Sequence, residues 1–234
     1  MTAQRRPLGD TSAEFYRRNA GRYAEIAHGF LQSVYVKSSH PLLTDDSVLI
    51  SHALGLSPGR CCLDAGCGAG ARDVFALWRS GCDVRGIDAI QENIILAQRM
   101  HPEIARFVSV ADLRERLPFD DNRFDLVLCN AVLQHLADTE LREVTLPELV
   151  RVLRPGGILQ LMFKHGEGVL TLFDADYGEE RSFLLHDETS VANTLASLGM
   201  DLVEACDSAE LGGMMYFTDP KGAGHCVFHM RKRA

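Results

Sequence analysis

Residues 63–73 read LDAGCGAGARD, and this stretch constrains the fold most tightly. Gly66, Gly68 and Gly70 alternate with small residues between an apolar run, CCLDA, and a helix-forming run, ARDVFALWRSG. Glycines at such a junction permit a tight strand-to-helix turn and let backbone N–H groups approach a ligand closely. Asp64 ends the apolar run just before them. A carboxylate there suits a ligand carrying an ammonium or other cation and disfavours a bare phosphate. Roughly 20 residues on, Asp88 closes the next apolar run, CDVRGID, where a carboxylate can accept from both hydroxyls of a ribose. The spacing Gly66-x-Gly68-x-x-Ala71 also satisfies the dinucleotide fingerprint. On the turn alone, a nicotinamide-dependent oxidoreductase and an ordinary βα turn therefore stay open.

From residue 61 the chain alternates strands and helices. Apolar runs CCLDAG, CDVRGID, RFVSVAD, RFDLVLCNAVL and GILQLMF are separated by helical patterns, of which LREVTLPELVRVL should end at the PGG of Pro155–Gly157. Near-continuous apolar strands belong in a parallel sheet covered on both faces. MDLVEACD and HCVFHMRKR supply two more strands, after a helix ETSVANTLASLG that a glycine ends. The pattern predicts a doubly wound, Rossmann-like α/β fold with a mostly parallel seven-stranded sheet and helices on both faces. Ahead of it, residues 1–10 read as a flexible tail and 11–55 as an N-terminal helical cap, with Thr11 or Ser12 as a helix N-cap. Residues 56–234 form the ligand-binding domain, with an insertion at about 165–187.

Composition narrows the function. Lys+Arg 24 against Asp+Glu 32 gives a net charge of −8, which disfavours nucleic acid as a partner. No run has the roughly 18 apolar residues of a membrane span, and the N-terminus lacks a signal-peptide core. Seven cysteines, odd in number and without a CxxC pair, read as core residues in a reducing cytoplasm. No metal site is expected. His225 and His229 share a strand face but lie roughly 13 Å apart at strand spacing, too far for one ion.

Four segments in order resemble the class I S-adenosylmethionine (SAM) methyltransferases of small-molecule type: Asp64-x-Gly66-x-Gly68-x-Gly70; Asp88; ADLRERLPFDDNRFDLVLCNAVLQHL at 111–136; and RVLRPGGILQLMF at 151–163. The N-terminal FYRRNAGRY is similar to the family's lead segment, but Arg17 and Ala24 replace its two acids. The resemblance implies SAM as cofactor and S-adenosylhomocysteine (SAH) as product. It implies that Asp64, Ala65 and the Gly66–Gly70 backbone hold the methionine end, with Cys67 acting through its main chain. Asp88 would take the ribose with Ala89 nearby, Asp112 the adenine amine, and Leu113 an adenine contact. Asn130 would sit by the methionine portion and the acceptor entrance, and Tyr16 or Tyr23 would close over the cofactor.

The cofactor would bring an activated methyl group, leaving the protein to align reactants and exclude water. Should the acceptor need to lose a proton, His135 and His165 are the candidate bases, with Glu167 and His40 behind them. The acceptor pocket is expected at the N-terminal cap and the insertion, near Phe30, Leu31, Tyr35, Phe173 and Tyr177. Asp174, Asp176, Glu179 and Glu180 would either form acidic walls for an amine or simply solvate the loop. NAVL stands where base-methylating enzymes carry [ND]-P-P-[YF], which favours a small-molecule acceptor. Protein or RNA methylation, and a non-catalytic SAM-binding module, are the alternatives. A homo-oligomer is compatible with the sequence.

Overall fold

The computed structural model describes residues 8–27 and 35–234. Its first elements are α1 (Leu8–Ala27), β1 (Lys37–Ser38) and α2 (Asp46–Leu56). Four strands and two helices follow: β2 (Cys61–Ala65), α3 (Arg72–Arg79), β3 (Asp83–Asp88), α4 (Gln91–Met100), β4 (Val108–Val110) and β5 (Phe124–Asn130). The helical segment after β5 comprises α5 (Asp138–Glu140), a π-turn (Leu141–Thr145) and α6 (Leu146–Val152). The rest is β6 (Leu153–Lys164), β7 (Val169–Asp174), β8 (Glu179–Leu184), α7 (Glu188–Ser197), β9 (Met200–Leu202), β10 (Met215–Thr218) and β11 (Gly224–Lys232).

The main sheet runs β1-β10-β11-β6-β5-β2-β3-β4, with β9 also paired to β11. Strands β4, β3, β2, β5 and β6 are mutually parallel; β11, β10, β1 and β9 join antiparallel. The sheet thus has nine strands among the described residues, where seven were expected. The additional strands, β1 at the edge and β10 next to it, are short elements without the apolar run that marks the central ones. The insertion folds into a separate antiparallel hairpin of β7 and β8.

Side-chain alternation splits the core into two layers. Leu63, Ala65, Val127 and Cys129 face α6 and α7 (Leu146, Leu149, Val191, Leu195). Cys62, Leu126 and Leu128 face α2, α3 and α4 (Ile50, Val74, Leu77, Ile94). Asp45 caps α2 by accepting from the N–H groups of Ser47 and Val48, and Gly199, at φ +88°, follows the end of α7.

Three expectations are corrected. The first helix starts at Leu8, so Thr11 and Ser12 are inside it rather than at its N-cap, and Leu8 to Asp10 are helical rather than tail. Residues 1–7, Phe30 and Leu31 lie outside the described residues. Of the expected 11–55 cap, α2 instead packs beneath the sheet. The helix before β6 ends at Val152, and the PGG lies inside β6, where a register shift between Phe124 and Leu126 absorbs it. No helix among the described residues is long and apolar enough to cross a membrane.

Candidate cofactor site

Because β2, β3, β4 and β5 are parallel, their carboxyl ends share one edge, and the segments that follow each strand meet there. The turn after β2 needs glycine for specific reasons. Gly66 has φ +103° and a Cβ there would lie 2.2 Å from Val132 Cγ2; Gly68 has φ +65° and its Cβ would lie 2.9 Å from the Tyr23 hydroxyl. The N–H groups of Gly66 and Cys67 donate to Ile87 O at 2.8 and 2.9 Å, tying the turn to β3.

A cleft opens at this edge. Tyr16 and Tyr23 from α1, Gly66 and Gly68, Asp88 and Ala89, Asp112 and Leu113, Asn130 and His135 all line it. The remaining cofactor candidates do not. Asp64, Ala65 and Gly70 are buried at the turn. The Cys67 side chain points toward β3, its Sγ 3.2 Å from where a Gly86 Cβ would be, so only its main chain is available to the cleft.

Asp88 is well held. Its Oδ2 accepts from Gly68 N–H at 3.0 Å and its Oδ1 from Ile90 N–H at 2.8 Å and Asn93 Nδ2 at 3.1 Å. Burial still pushes its carboxyl upward, against these hydrogen bonds. At Asp112 burial acts upward too, but hydrogen bonds from the Arg114 side chain and backbone outweigh it and hold the carboxyl low.

Asp64 is different. It is only 4% exposed. Burial raises its pKa well above the carboxylate range, and Asp73 and Asp88 add to the rise, against Arg72. Arg72 is itself committed to Asp46 at 2.7 Å and Asp73 at 2.8 Å. Three acids, Asp64, Asp73 and Asp88, therefore crowd one glycine turn, with Arg72 offsetting Asp64 and Asp73. A diphosphate placed there would add repulsion, whereas an ammonium or sulfonium would relieve it. The buried Oδ1 of Asn93, at the cleft wall, lacks a donor.

Among the candidate bases, only His135 lies in the cleft. Its Nδ1 is 2.7 Å from Ser12 Oγ and its Nε2 3.3 Å from the Tyr16 hydroxyl. Burial, then the cations Arg181 and Lys164, push its pKa down to about 3. His165 does not line the cleft; it pairs with Glu188 at 3.3 Å and packs on Tyr216. Glu167 is exposed, and His40 bonds Ser208 O at 3.1 Å, outside the cleft. His225 and His229 have separate partners, Lys164 and Gln160. Tyr35 stacks on Phe217. Three acids of the insertion are ion-paired, Asp174 with Arg181 and Lys221, Asp176 with Lys221 and Glu179 with Arg18, while Glu180 is exposed. The three are paired rather than forming open acidic walls.

Sequence reasoning missed Asp73, Asn93 and Arg181. Asn93 carried a signal, since it interrupts the buried stripe of α4 formed with Ile94 and Ala97. Arg181 carried none, because its partners are distant in sequence.

Residues 63–161 match the family described as a methyltransferase domain. The chain is 36% identical over 112 residues to an uncharacterised methyltransferase of Synechocystis sp., covering 48% of this chain and 50% of that protein. It superposes with a TM-score of 0.64 and 20% identity on a Burkholderia thailandensis 1,6-didemethyltoxoflavin N1-methyltransferase with 1,6-didemethyltoxoflavin and SAH bound, covering 100% and 93% of the chains. It also superposes on the [4+2]-cyclase SpnF with a TM-score of 0.67 and 16% identity, covering 97% of each. The fold and motifs define a Rossmann-like methyltransferase domain. Residues 63–161 thus resemble the methyltransferase domain of SAM-dependent enzymes. It spans about half the length, or less, of several curated relatives it matches.

Proposed function

We propose that the chain binds SAM in this cleft and transfers its methyl group to a small-molecule acceptor. The observation that carries the reading is the cleft at the carboxyl ends of the parallel strands, lined by the glycine turn, Asp88 and Asp112, with Asp64 buried beside the turn. The residue set fits the cofactor: the glycine turn, with the Asp64 charge behind it, for its ammonium end, Asp88 for the ribose hydroxyls, Asp112 for the adenine amine, and Leu113 for the adenine face. Asn130 stands at the acceptor entrance. When bound, SAM supplies a methyl group already activated on a sulfonium sulfur. The protein's part is to hold the reactants in line and keep water out, which can lower a barrier by roughly 7–11 kcal/mol. Tyr16 and Tyr23 cover the cleft from α1 and serve that exclusion.

His135 acts in this reading as a neutral positioning group. A histidine whose pKa is pushed down to about 3 is a weak base near neutrality. Its Nε2 also faces the Tyr16 hydroxyl rather than an open acceptor site. The net charge of −8 and the enclosing helix favour a small metabolite over nucleic acid. The seven free cysteines suit a reducing compartment such as the cytoplasm.

A second reading has an observation behind it. A [4+2]-cyclase shares this fold across 97% of the chain, and a fold does not by itself prescribe a reaction. Thermal-shift measurements with SAM, SAH and NAD test the cofactor assignment. At a hundredfold excess over Kd, a ligand adds about 2.7 kcal/mol to stability. SAM or SAH should give the rise and NAD none; a rise with NAD alone refutes the assignment. Methyl gain in a metabolite mixture supplied with SAM separates methyl transfer from binding without turnover.

A further inference from the structure

The inserted hairpin of β7 and β8 has no assigned task, yet its inner face meets α1 at several independent points. Arg18 pairs with Glu179 at 2.6 Å, Asn19 donates to Glu179 at 3.2 Å, and Arg22 donates to Asp176 O at 3.2 Å. A more buried contact lies between them. Arg181 on β8 donates to the Tyr16 hydroxyl at 2.7 Å and to Asp174 at 3.1 Å. Its guanidinium also lies 4.2 Å from the ring centroid of Phe15 and 4.8 Å from that of Phe183. Asp174 is 1% exposed and also receives Lys221, so Arg181 is fixed from behind.

We infer that Arg181 is a positioning residue for the cofactor cleft: it latches α1 shut through Tyr16 and sets the hydrogen-bond direction of His135. A guanidinium can only donate, so the Tyr16 oxygen accepts from Arg181 and its one proton points to His135 Nε2. His135 then carries its proton on Nδ1 and donates to Ser12 Oγ. The chain Arg181–Tyr16–His135–Ser12 has one polarity, set by the hairpin and ending on α1. The hairpin's task is thus to hold the cover of the cleft in place.

The inference rests on SAM or SAH occupying this cleft, and the experiment separates the two claims. Hydrogen exchange on the unliganded chain tests the latch. Tyr16→Phe keeps the ring and leaves Arg181 paired with Asp174, so it removes only the hydroxyl's links to Arg181 and His135. Amides of residues 12–24 should exchange several-fold faster in Tyr16→Phe and in Arg181→Met, with the strands β2 and β5 unchanged. SAH affinity should fall roughly tenfold in each single variant, and the double variant should lose about as much as the larger single loss, because both interrupt the same Arg181–Tyr16–His135 chain. Unchanged exchange of α1, or losses that multiply in the double variant, overturn the latch while leaving the cofactor assignment standing. An unaltered chain that shows no SAH binding overturns the cofactor assignment, and with it the positioning role.

Discussion

The backbone N–H of Gly68 donates to the Asp88 carboxylate at 3.0 Å, so the glycine turn after β2 and the end of β3 form one unit. Asp88 accepts three hydrogen bonds from the protein and keeps lone pairs toward the cleft. Replacing it loses both the turn's anchor and the ribose acceptor. Asp88→Ala should weaken SAH binding about 100-fold by calorimetry, at two charge-assisted hydrogen bonds to the ligand. An affinity close to that of the unaltered chain would show the ribose is held elsewhere.

Asp64 predicts a trade between stability and binding. Burial raises its folded pKa above the unfolded value, so between the two values the folded chain keeps a proton that the unfolded chain has lost. Stability from this group therefore falls as pH rises through that window. Asp64→Asn removes the buried charge. It should be more stable than the unaltered chain at pH 8 by about 1 kcal/mol, with the gain vanishing toward pH 4, and should bind SAH poorly. Melting curves at the two pH values check this. A variant less stable at pH 8 would contradict a carboxylate destabilised by its burial.

The glycines should not be equivalent. Gly66→Ala forces a side chain into φ +103° and against Val132, at the floor of the cleft. It should cost at least about 1–2 kcal/mol and abolish SAH binding. Gly81→Ala shares a positive φ, +80°, but meets nothing within 4 Å. It should cost about 1 kcal/mol and leave binding intact. Equal binding in both variants would mean that the turn is not the ligand's cradle.

His135 should not titrate near neutrality, because burial and the neighbouring Arg181 and Lys164 push its pKa to about 3. Nitrogen NMR of its imidazole between pH 5 and 8 should show one neutral tautomer protonated on Nδ1. A midpoint near 6.5 would contradict the buried network and restore His135 as a base.

The strand–helix order and the parallel centre were legible because β2 and β5 are apolar on both faces, and only a sheet covered twice accommodates that. The short strands β1 and β10 were not, since two or four residues give no period to read. Within the site, Asp64, Asp88 and Asp112 each end or follow a strand, so local pattern placed them. The Arg181–Tyr16 contact joins residues 165 apart in sequence, and no local pattern encodes such a pairing. The charge of the insertion misled for the same reason: Asp174 looks free in sequence and is buried between Arg181 and Lys221 in space.

The most direct measurement is a crystal structure of the chain grown with SAH. The account predicts density in the α1-covered cleft, with the amino-acid end of the ligand at Asp64 and the glycine turn and the ribose hydroxyls on Asp88. Density elsewhere, or a ligand in the cleft with its ribose turned away from Asp88, would contradict it.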